Sequence, residues 1–168
     1  SAIGENDSIN QLSYYSLADT YIKLKKNKLA FNAFKEASKI EVYKDIQEES
    51  AFSMAKISYE TSLAPYYEAV DALSSFIKKY PESEKAEVAT NYLINVFLLS
   101  KNYPQAIKQI EKISIKSPKL DKAYQQVCYN YAIQLYNQKK YTESIANFTK
   151  AAKFKEHKYA AALSKYWI

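Results

Sequence analysis

The sequence predicts an all-α fold, a solenoid built from antiparallel helix pairs, and three observations lead to this prediction. The 168 residues include one Gly and four Pro, which leaves few turn signals, while 48% of the residues are hydrophobic. Apolar residues recur at the three- and four-residue spacing of an amphipathic helix. One pattern repeats at intervals of 39, 37 and 38 residues. A period of this length is typical of helical repeat arrays.

The repeat is marked by a small residue in the second helix of each pair. A larger apolar residue follows each marker four positions later. Pro81 and Pro118 each stand twelve residues after a marker, where proline predicts the end of the second helix. The markers, each with its larger partner, are Ala30 with Phe34, Ala69 with Leu73, Ala106 with Ile110, and Ser144 with Phe148.

The first helix of each pair carries a small residue of its own, 12 to 14 positions before the marker. We expect it to face the second helix, because small side chains let two helix backbones approach closely. In the first repeat, Tyr14, Leu17 and Tyr21 join this residue in a stripe that is the signature of an amphipathic helix. The third repeat departs from the pattern, with Ile94 in place of alanine. The small residues of the first helices are Ala18, Ala55 and Ala132.

We expect one array rather than several domains. Residues 1–10 are interpreted as a lead-in or the tail of a preceding repeat, and residues 11–168 as a single solenoid. No apolar run approaches the roughly 18 residues of a membrane span. The sequence is interpreted as a piece of a longer protein. The predicted repeats are about 11–45, 46–82, 83–118 and 119–156, followed by a truncated helix at 157–168 in which Trp167 packs against a missing neighbour.

The net charge is +6, and all 24 basic residues are lysine. Arginine makes the bidentate planar contacts that recognise phosphates and base edges. Its absence disfavours nucleic acid more than the positive charge favours it. Binding of single-stranded RNA stays open as an alternative, since helical repeats also read single strands.

Catalytic chemistry has little support in the sequence. The one histidine, His157, is predicted to lie in a turn, and the one cysteine, Cys128, is predicted to be a buried small hydrophobe. The only glycine, Gly4, cannot build a phosphate-binding loop. Acidic pairs such as Glu48 and Glu49 fall at predicted helix starts, where they favour the helix dipole. We therefore expect no enzyme activity, no metal and no cofactor.

The pattern resembles the tetratricopeptide repeat, a family with small residues at the eighth, twentieth and twenty-seventh positions. Ala18, Ala30 and Ala37 fit these positions in the first repeat, and the departures include Phe76 and Ile113. The resemblance covers residues 11–168 and implies a right-handed superhelix.

The stretch SFIKKYPESEKAEVATNYL looks like the tetratricopeptide proteins of the Gram-negative envelope. These include the coordinator of the Tol–Pal system and the lipoprotein subunit of the β-barrel assembly machinery. This closer resemblance implies a location in the periplasm or on the periplasmic face of the outer membrane.

The family resemblance also implies a concave face, lined by the second, fifth, ninth and twelfth positions of the first helices. These positions are rich in aromatic residues, which suits protein recognition, although stacking between repeats would also bury them. We expect Phe52 and Tyr129 to bind a partner without contributing to stability. No fifth position is basic, which argues against a clamp for a C-terminal carboxylate. The predicted partner-binding residues are Tyr15, Asp19, Phe52, Lys56, Tyr59, Asn91, Asn95, Tyr129, Ile133 and Tyr136.

These observations favour a non-enzymatic scaffold that holds a protein or peptide segment in its concave groove, within a larger envelope protein. A purely structural spacer in a longer array is the other alternative. Self-association through the truncated terminal helix is a further possibility.

Overall fold

The computed structural model describes residues 2–61, 66–99, 101–112, 117–153 and 162, and in these ranges it contains helices and no strand. The all-α prediction is therefore confirmed. The helices are α1 (Ala2–Lys23), α2 (Asn27–Ala37), α3 (Lys44–Glu60), α4 (Tyr66–Lys79), α5 (Glu84–Leu99), α6 (Tyr103–Lys112), α7 (Pro118–Asn137) and α8 (Tyr141–Ala152).

The chain forms two compact units, residues 1–93 and 94–168, and the boundary lies within α5. In the first unit α1 packs on α2, α2 on α3, and α3 on α4, while α1 also contacts α3. In the second unit α6 packs on α7, and α7 on α8. All of these contacts except that of α1 with α3 join consecutive helices.

Helices α7 and α8 form an antiparallel pair, as two hydrogen bonds show. Near the turn, Ser144 Oγ donates to the Ala132 carbonyl oxygen at 2.9 Å. At the far end, Gln125 Nε2 donates to the Ala151 carbonyl oxygen at 3.1 Å. Ala132 lies late in α7 and pairs with Ser144 early in α8, whereas Gln125 lies earlier in α7 and pairs with Ala151 at the end of α8. The two helices therefore run in opposite directions.

A buried glutamine fastens the first pair in the same way. Gln11 lies 114 positions before Gln125, and its Nε2 donates to the carbonyl oxygen of Ala37, 114 positions before Ala151, at 3.5 Å. Gln11 also donates to the Ile40 carbonyl oxygen at 2.6 Å and accepts from the Tyr43 amide at 2.7 Å. Its side chain therefore satisfies the backbone where α2 ends.

The turns of these two pairs share one conformation. Lys25 and Lys139, also 114 positions apart, have positive φ angles of 57° and 62°. A left-handed residue after a helix, with a bond from the next amide to the carbonyl five residues earlier, is the Schellman ending. Those bonds are Lys26 N to Tyr21 O and Lys140 N to Leu135 O, both 2.9 Å.

The predicted small residues lie in the core. Seven of them are completely buried, which confirms that they stand where helices approach closely. The predicted larger partners are also buried, while Ile94 is half-buried. The completely buried small residues are Ala18, Ala30, Ala37, Ala55, Ala106, Ala132 and Ala151.

The stripe predicted on α1 is only partly packed. Ala18 is buried and Tyr21 is half-buried, but Tyr14 and Leu17 are 39% and 41% exposed. The stripe lies in a helix, as predicted, but periodicity identifies an apolar face without showing whether a neighbour covers it.

The two ends of the predicted array are the lead-in at residues 1–10 and the truncated helix at 157–168. Helix α1 begins at Ala2, so residues 2–10 continue into the first helix of the first pair. The truncated helix expected at 157–168, with Trp167, lies outside the described residues apart from Ala162.

Candidate functional site

In the first unit, the first helices of three successive pairs lie side by side. Helix α1 contacts α3, and α3 is joined to α5 by an ion pair between Glu49 and Lys85. Further along, the rings of Tyr59 on α3 and Tyr92 on α5 stack 4.4 Å apart at an interplanar angle of 18°. We call this surface the first-helix face, defined by Tyr15, Asp19, Glu49, Phe52, Lys56, Tyr59, Lys85 and Tyr92.

The centre of the first-helix face combines a charge pair with aromatic rings. Lys85 Nζ pairs with Glu49 and stands 5.9 Å from the ring centroid of Phe52. The hydrogen bond to Glu49 raises the pKa of Lys85, so its ammonium group stays charged at neutral pH. Burial, and then the nearby charge of Glu49, raise the pKa of Tyr15, so this phenol stays neutral.

The start of α5 is held in place by Ser83. Its hydroxyl oxygen accepts a hydrogen bond from the Lys85 amide at 3.1 Å, which caps the helix. The same hydroxyl donates to Glu48 of α3 at 2.7 Å. The cap also fixes the position from which the Lys85 side chain extends.

The aromatic rings of this face also pack inward. Tyr15 meets Phe34 of α2 edge-on, with ring centroids 5.9 Å apart, and Phe52 meets Phe76 of α4 at 5.4 Å. Because these contacts join the first helices to their second helices, the rings contribute to stability. The expectation that Phe52 serves binding alone is therefore wrong.

The charged members of the face are more accessible. Asp19 forms an ion pair with Lys23 one turn away at 2.7 Å, and Lys56 forms one with Glu60 at 3.8 Å. Such exposed pairs within one helix contribute little to stability, because solvent screens them. Asp19 and Lys56 can therefore be changed at little cost in stability. Asn91 on α5 is half-buried.

The remaining predicted residues belong to the second unit. Tyr129 meets Phe148 edge-on at 5.8 Å, which repeats the contact of Tyr15 with the second-helix phenylalanine of its own pair. Tyr136 is 41% exposed and lies 5.5 Å from the ring of Tyr141. Ile133 is half-buried and Asn95 is exposed. Tyr129, like Phe52, therefore has a packing role that we did not expect.

The structure brings Tyr15, Phe52, Lys56 and Tyr59 onto one surface, as the family pattern implies. It adds Lys85, which the sequence reasoning missed. The missed signal is a lysine two residues after the Ser83 cap, in the first turn of the helix that carries Asn91. Tyr92 was missed because it is not a predicted position but the residue after Asn91, although its ring stacks on Tyr59 of α3.

A second concavity of about 490 Å³ lies on the side of the second helices α2 and α4. Phe31, Met54 and Ala72 form its apolar floor, with Lys35 on α2 and Asp71 on α4 among its polar residues.

The described residues contain no group of three or more His, Cys, Asp or Glu side chains placed to hold a metal ion. Cys128 is buried, as predicted, and burial raises its pKa to about 12. His157 falls outside the part of the chain that the structure describes. No described helix is both long and apolar enough to cross a bilayer.

Comparisons with protein-family models, with curated proteins and with solved structures give no significant match for this chain.

Proposed function

We propose that this chain is a non-enzymatic scaffold of the tetratricopeptide type that binds a protein or peptide segment on the first-helix face. The observation that carries the proposal is that three first helices present a common surface in one unit. Glu49 and Lys85 form its charged centre, Phe52 and Tyr15 surround that centre, and Lys56 lies one turn further on.

The repeat assignment rests on features that recur at a fixed offset of 114 residues, three times the typical repeat length. The buried glutamine, the left-handed lysine and the edge-on tyrosine all recur at this offset. Such recurrence favours a stacked array over an irregular helical fold. A right-handed superhelix and an envelope location remain part of the proposal, supported by the family resemblance alone.

The chemistry of the face suits a segment with an apolar anchor flanked by charge. Half-buried aromatic side chains offer rigid contact area at low entropic cost, which is why they dominate binding hot spots. Charges at the rim set the rate of association and the choice of partner more than the final affinity. Asp19 and Lys56 are placed for this second role.

The proposal is tested by selecting binders from a displayed random-peptide library against the immobilised chain. Peptides that bind are then measured on the double variant Asp19→Lys/Lys56→Glu, which exchanges two charges on the face and keeps the net charge. Because each exchange brings like charges of the peptide and the face together, we expect their affinity to fall at least about tenfold. The matched control is Glu36→Lys/Lys78→Glu on α2 and α4, which should leave affinity within about twofold.

Three outcomes would contradict the proposal. If only the control variant lost affinity for the peptides, the binding site would lie on the second helices instead. Failure to enrich any peptide over the bare support would remove peptide binding. The third outcome would come from titration with mixed single-stranded RNA at low and moderate salt. Measurable affinity with a steep salt dependence would favour RNA binding over peptide binding.

A further inference from the structure

Helix α1 carries an exposed row of large apolar side chains. Tyr14 and Leu17 are 39% and 41% exposed, and Tyr21, one turn further on, is half-buried. Their spacing places them on one side of the helix. We call this surface the α1 outer face.

The equivalent surface of α7 is covered by the helix that precedes it. At the offset of 114 residues, Tyr14, Leu17 and Tyr21 correspond to Cys128, Tyr131 and Leu135. Cys128 and Leu135 are buried, and Tyr131 is half-buried. Helix α6 packs on α7, and the ring of its Tyr103 lies 6.3 Å from the ring of Tyr131.

The same arrangement occurs at α3. Met54 of α3 takes the position of Leu17 in the repeat, and it is half-buried. Helix α2 packs on α3, and its Phe31 joins Met54 around one core cluster. In both cases, therefore, the second helix of the preceding pair covers the surface that α1 leaves exposed.

Helix α8 presents the complementary surface. Tyr141 and Ile145 stand 38 positions after Tyr103 and Ile107 of α6, at the same places in the repeat. Ile107 is 5% exposed, whereas Ile145 is 44% exposed and Tyr141 is 52% exposed. The equivalents on α8 of Tyr103, which meets Tyr131 of α7, and of the buried Ile107 are thus accessible.

We propose that α8 of one copy of the chain docks on the α1 outer face of a second copy, in the manner in which α6 docks on α7. Tyr141 would then meet Leu17 of the partner as Tyr103 meets Tyr131. This contact joins two different surfaces, so each copy keeps one surface of each kind and can add a further copy.

Polar residues at the edge of this contact are compatible with it. In the α6–α7 contact, Glu111 accepts a hydrogen bond from the Tyr124 hydroxyl at 2.6 Å. The equivalent residues in the proposed contact are Thr149 of α8 and Asn10 of α1. Both are exposed and uncharged, so no like charges would meet there.

The test measures the mass of the chain in solution by light scattering, from about 1 µM to about 1 mM, the range of a weak protein contact. We expect the average mass to rise with concentration above the monomer value of 19.4 kDa and to pass twice that value. Leu17→Glu or Ile145→Glu should each hold the mass at the monomer value. Val88→Glu, at an exposed valine on α5, is the control and should associate like the unmodified chain.

Mixing the two variants gives the sharper test. The Leu17→Glu chain keeps an intact α8, and the Ile145→Glu chain keeps an intact α1, so the mixture should form a one-to-one dimer that grows no further. Helical circular dichroism confirms that each variant is folded, which is expected because both residues are exposed. An unmodified chain that stays monomeric would overturn the proposal. So would an Ile145→Glu chain that still dimerises, since α1 would then pair with α1.

Discussion

Gln11 and Gln125 are uncharged polar side chains held completely inside the protein. Burying an amide without partners costs roughly 1–3 kcal/mol in proteins, so such a residue persists when its hydrogen bonds are made. Each glutamine reaches the carbonyl at the end of the second helix of its pair, where no helical amide remains to bond it. One side chain thus fixes how far the second helix extends along the first.

Removing this side chain should be costly. We expect Gln125→Ala to lower the free energy of unfolding by about 1–3 kcal/mol, because the buried Ala151 carbonyl loses a donor. Gln126→Ala, at the adjacent half-buried residue, should change it by less than about 0.5 kcal/mol. Urea unfolding of both variants measures the difference. Equal effects would mean that the buried hydrogen bond contributes little.

Cys128 allows burial to be tested by reactivity. Burial raises its pKa to about 12, and the thiolate is the reactive form. At pH 8 the folded chain should therefore react with a disulfide reagent at least about 1000-fold more slowly than a free thiol. In denaturing urea the reaction should become fast. Rapid labelling of the folded chain would show that α6 does not protect this surface of α7.

At the scale of the helical elements, the turns carry measurable strain. Lys25 and Lys139 adopt the left-handed conformation, which costs a residue with a Cβ about 1–2 kcal/mol. Glycine avoids this cost but loses more backbone entropy on folding, about 0.5–1 kcal/mol. The strain therefore exceeds the entropy loss by a modest amount.

We expect Lys139→Gly to raise the free energy of unfolding by about 0.5–1 kcal/mol, the difference between these two effects. Lys140→Gly, at a residue with a φ of −89°, should not stabilise the chain, because no left-handed strain is relieved there. Thermal and urea unfolding of the two variants provide the measurement. A destabilised Lys139→Gly chain would show that this turn is not held in the left-handed conformation.

Three helices of the second unit meet at Glu111, which gives the second unit a pH dependence. Glu111 of α6 accepts hydrogen bonds from the Tyr124 hydroxyl of α7 and from Lys150 Nζ of α8. These bonds, with that of Tyr124 the larger contribution, lower the pKa of Glu111 below its usual 4.5. The stabilisation is therefore complete above about pH 4.5 and is lost as the pH falls through the lower folded value.

The corresponding prediction concerns Glu111→Gln. Between pH 5 and pH 3 its free energy of unfolding should fall less than that of the unmodified chain, because the titrating group is gone. The difference should be small, since the side chains of Glu111 and Lys150 are 47% and 43% exposed. Glu143→Gln on α8 is a control that should keep the full pH dependence. Parallel acid profiles for all three chains would exclude this role of Glu111.

The sequence predicted the helical elements and their buried small residues well. A helix interface needs small side chains at a fixed period, and that period is visible in one dimension, as Ala18 and Ala132 show. The site was harder to predict. Lys85 on α5 reaches Glu49 on α3, and Tyr14 is exposed because no described helix covers it. Both features depend on neighbouring helices that periodicity does not identify.

At the scale of the whole molecule, the two compact units should respond separately to damage. Contacts in an array of helical repeats are mostly between neighbours, so stability is close to a sum of local contributions. Hydrogen exchange reads such local stability helix by helix.

We therefore expect Phe148→Ala to cost about 3–5 kcal/mol, since Phe148 is 1% exposed. The loss of amide protection should be concentrated in α7 and α8, while α1, α2 and α3 keep most of theirs. Exchange measured by mass spectrometry on peptides from each helix gives the comparison, with Thr149→Ala as an exposed control. A uniform loss of protection would mean that the chain unfolds as one cooperative body.

The shared geometry of the first and last helix pairs makes them interchangeable parts. A shortened chain that runs from Gln11 to Lys25 and continues at Lys140 would meet the same backbone dihedrals on both sides of the splice. Its Gln11 would then face Ala151, as it now faces Ala37. The turn is thus a suitable splice site for shortened or hybrid versions of this chain.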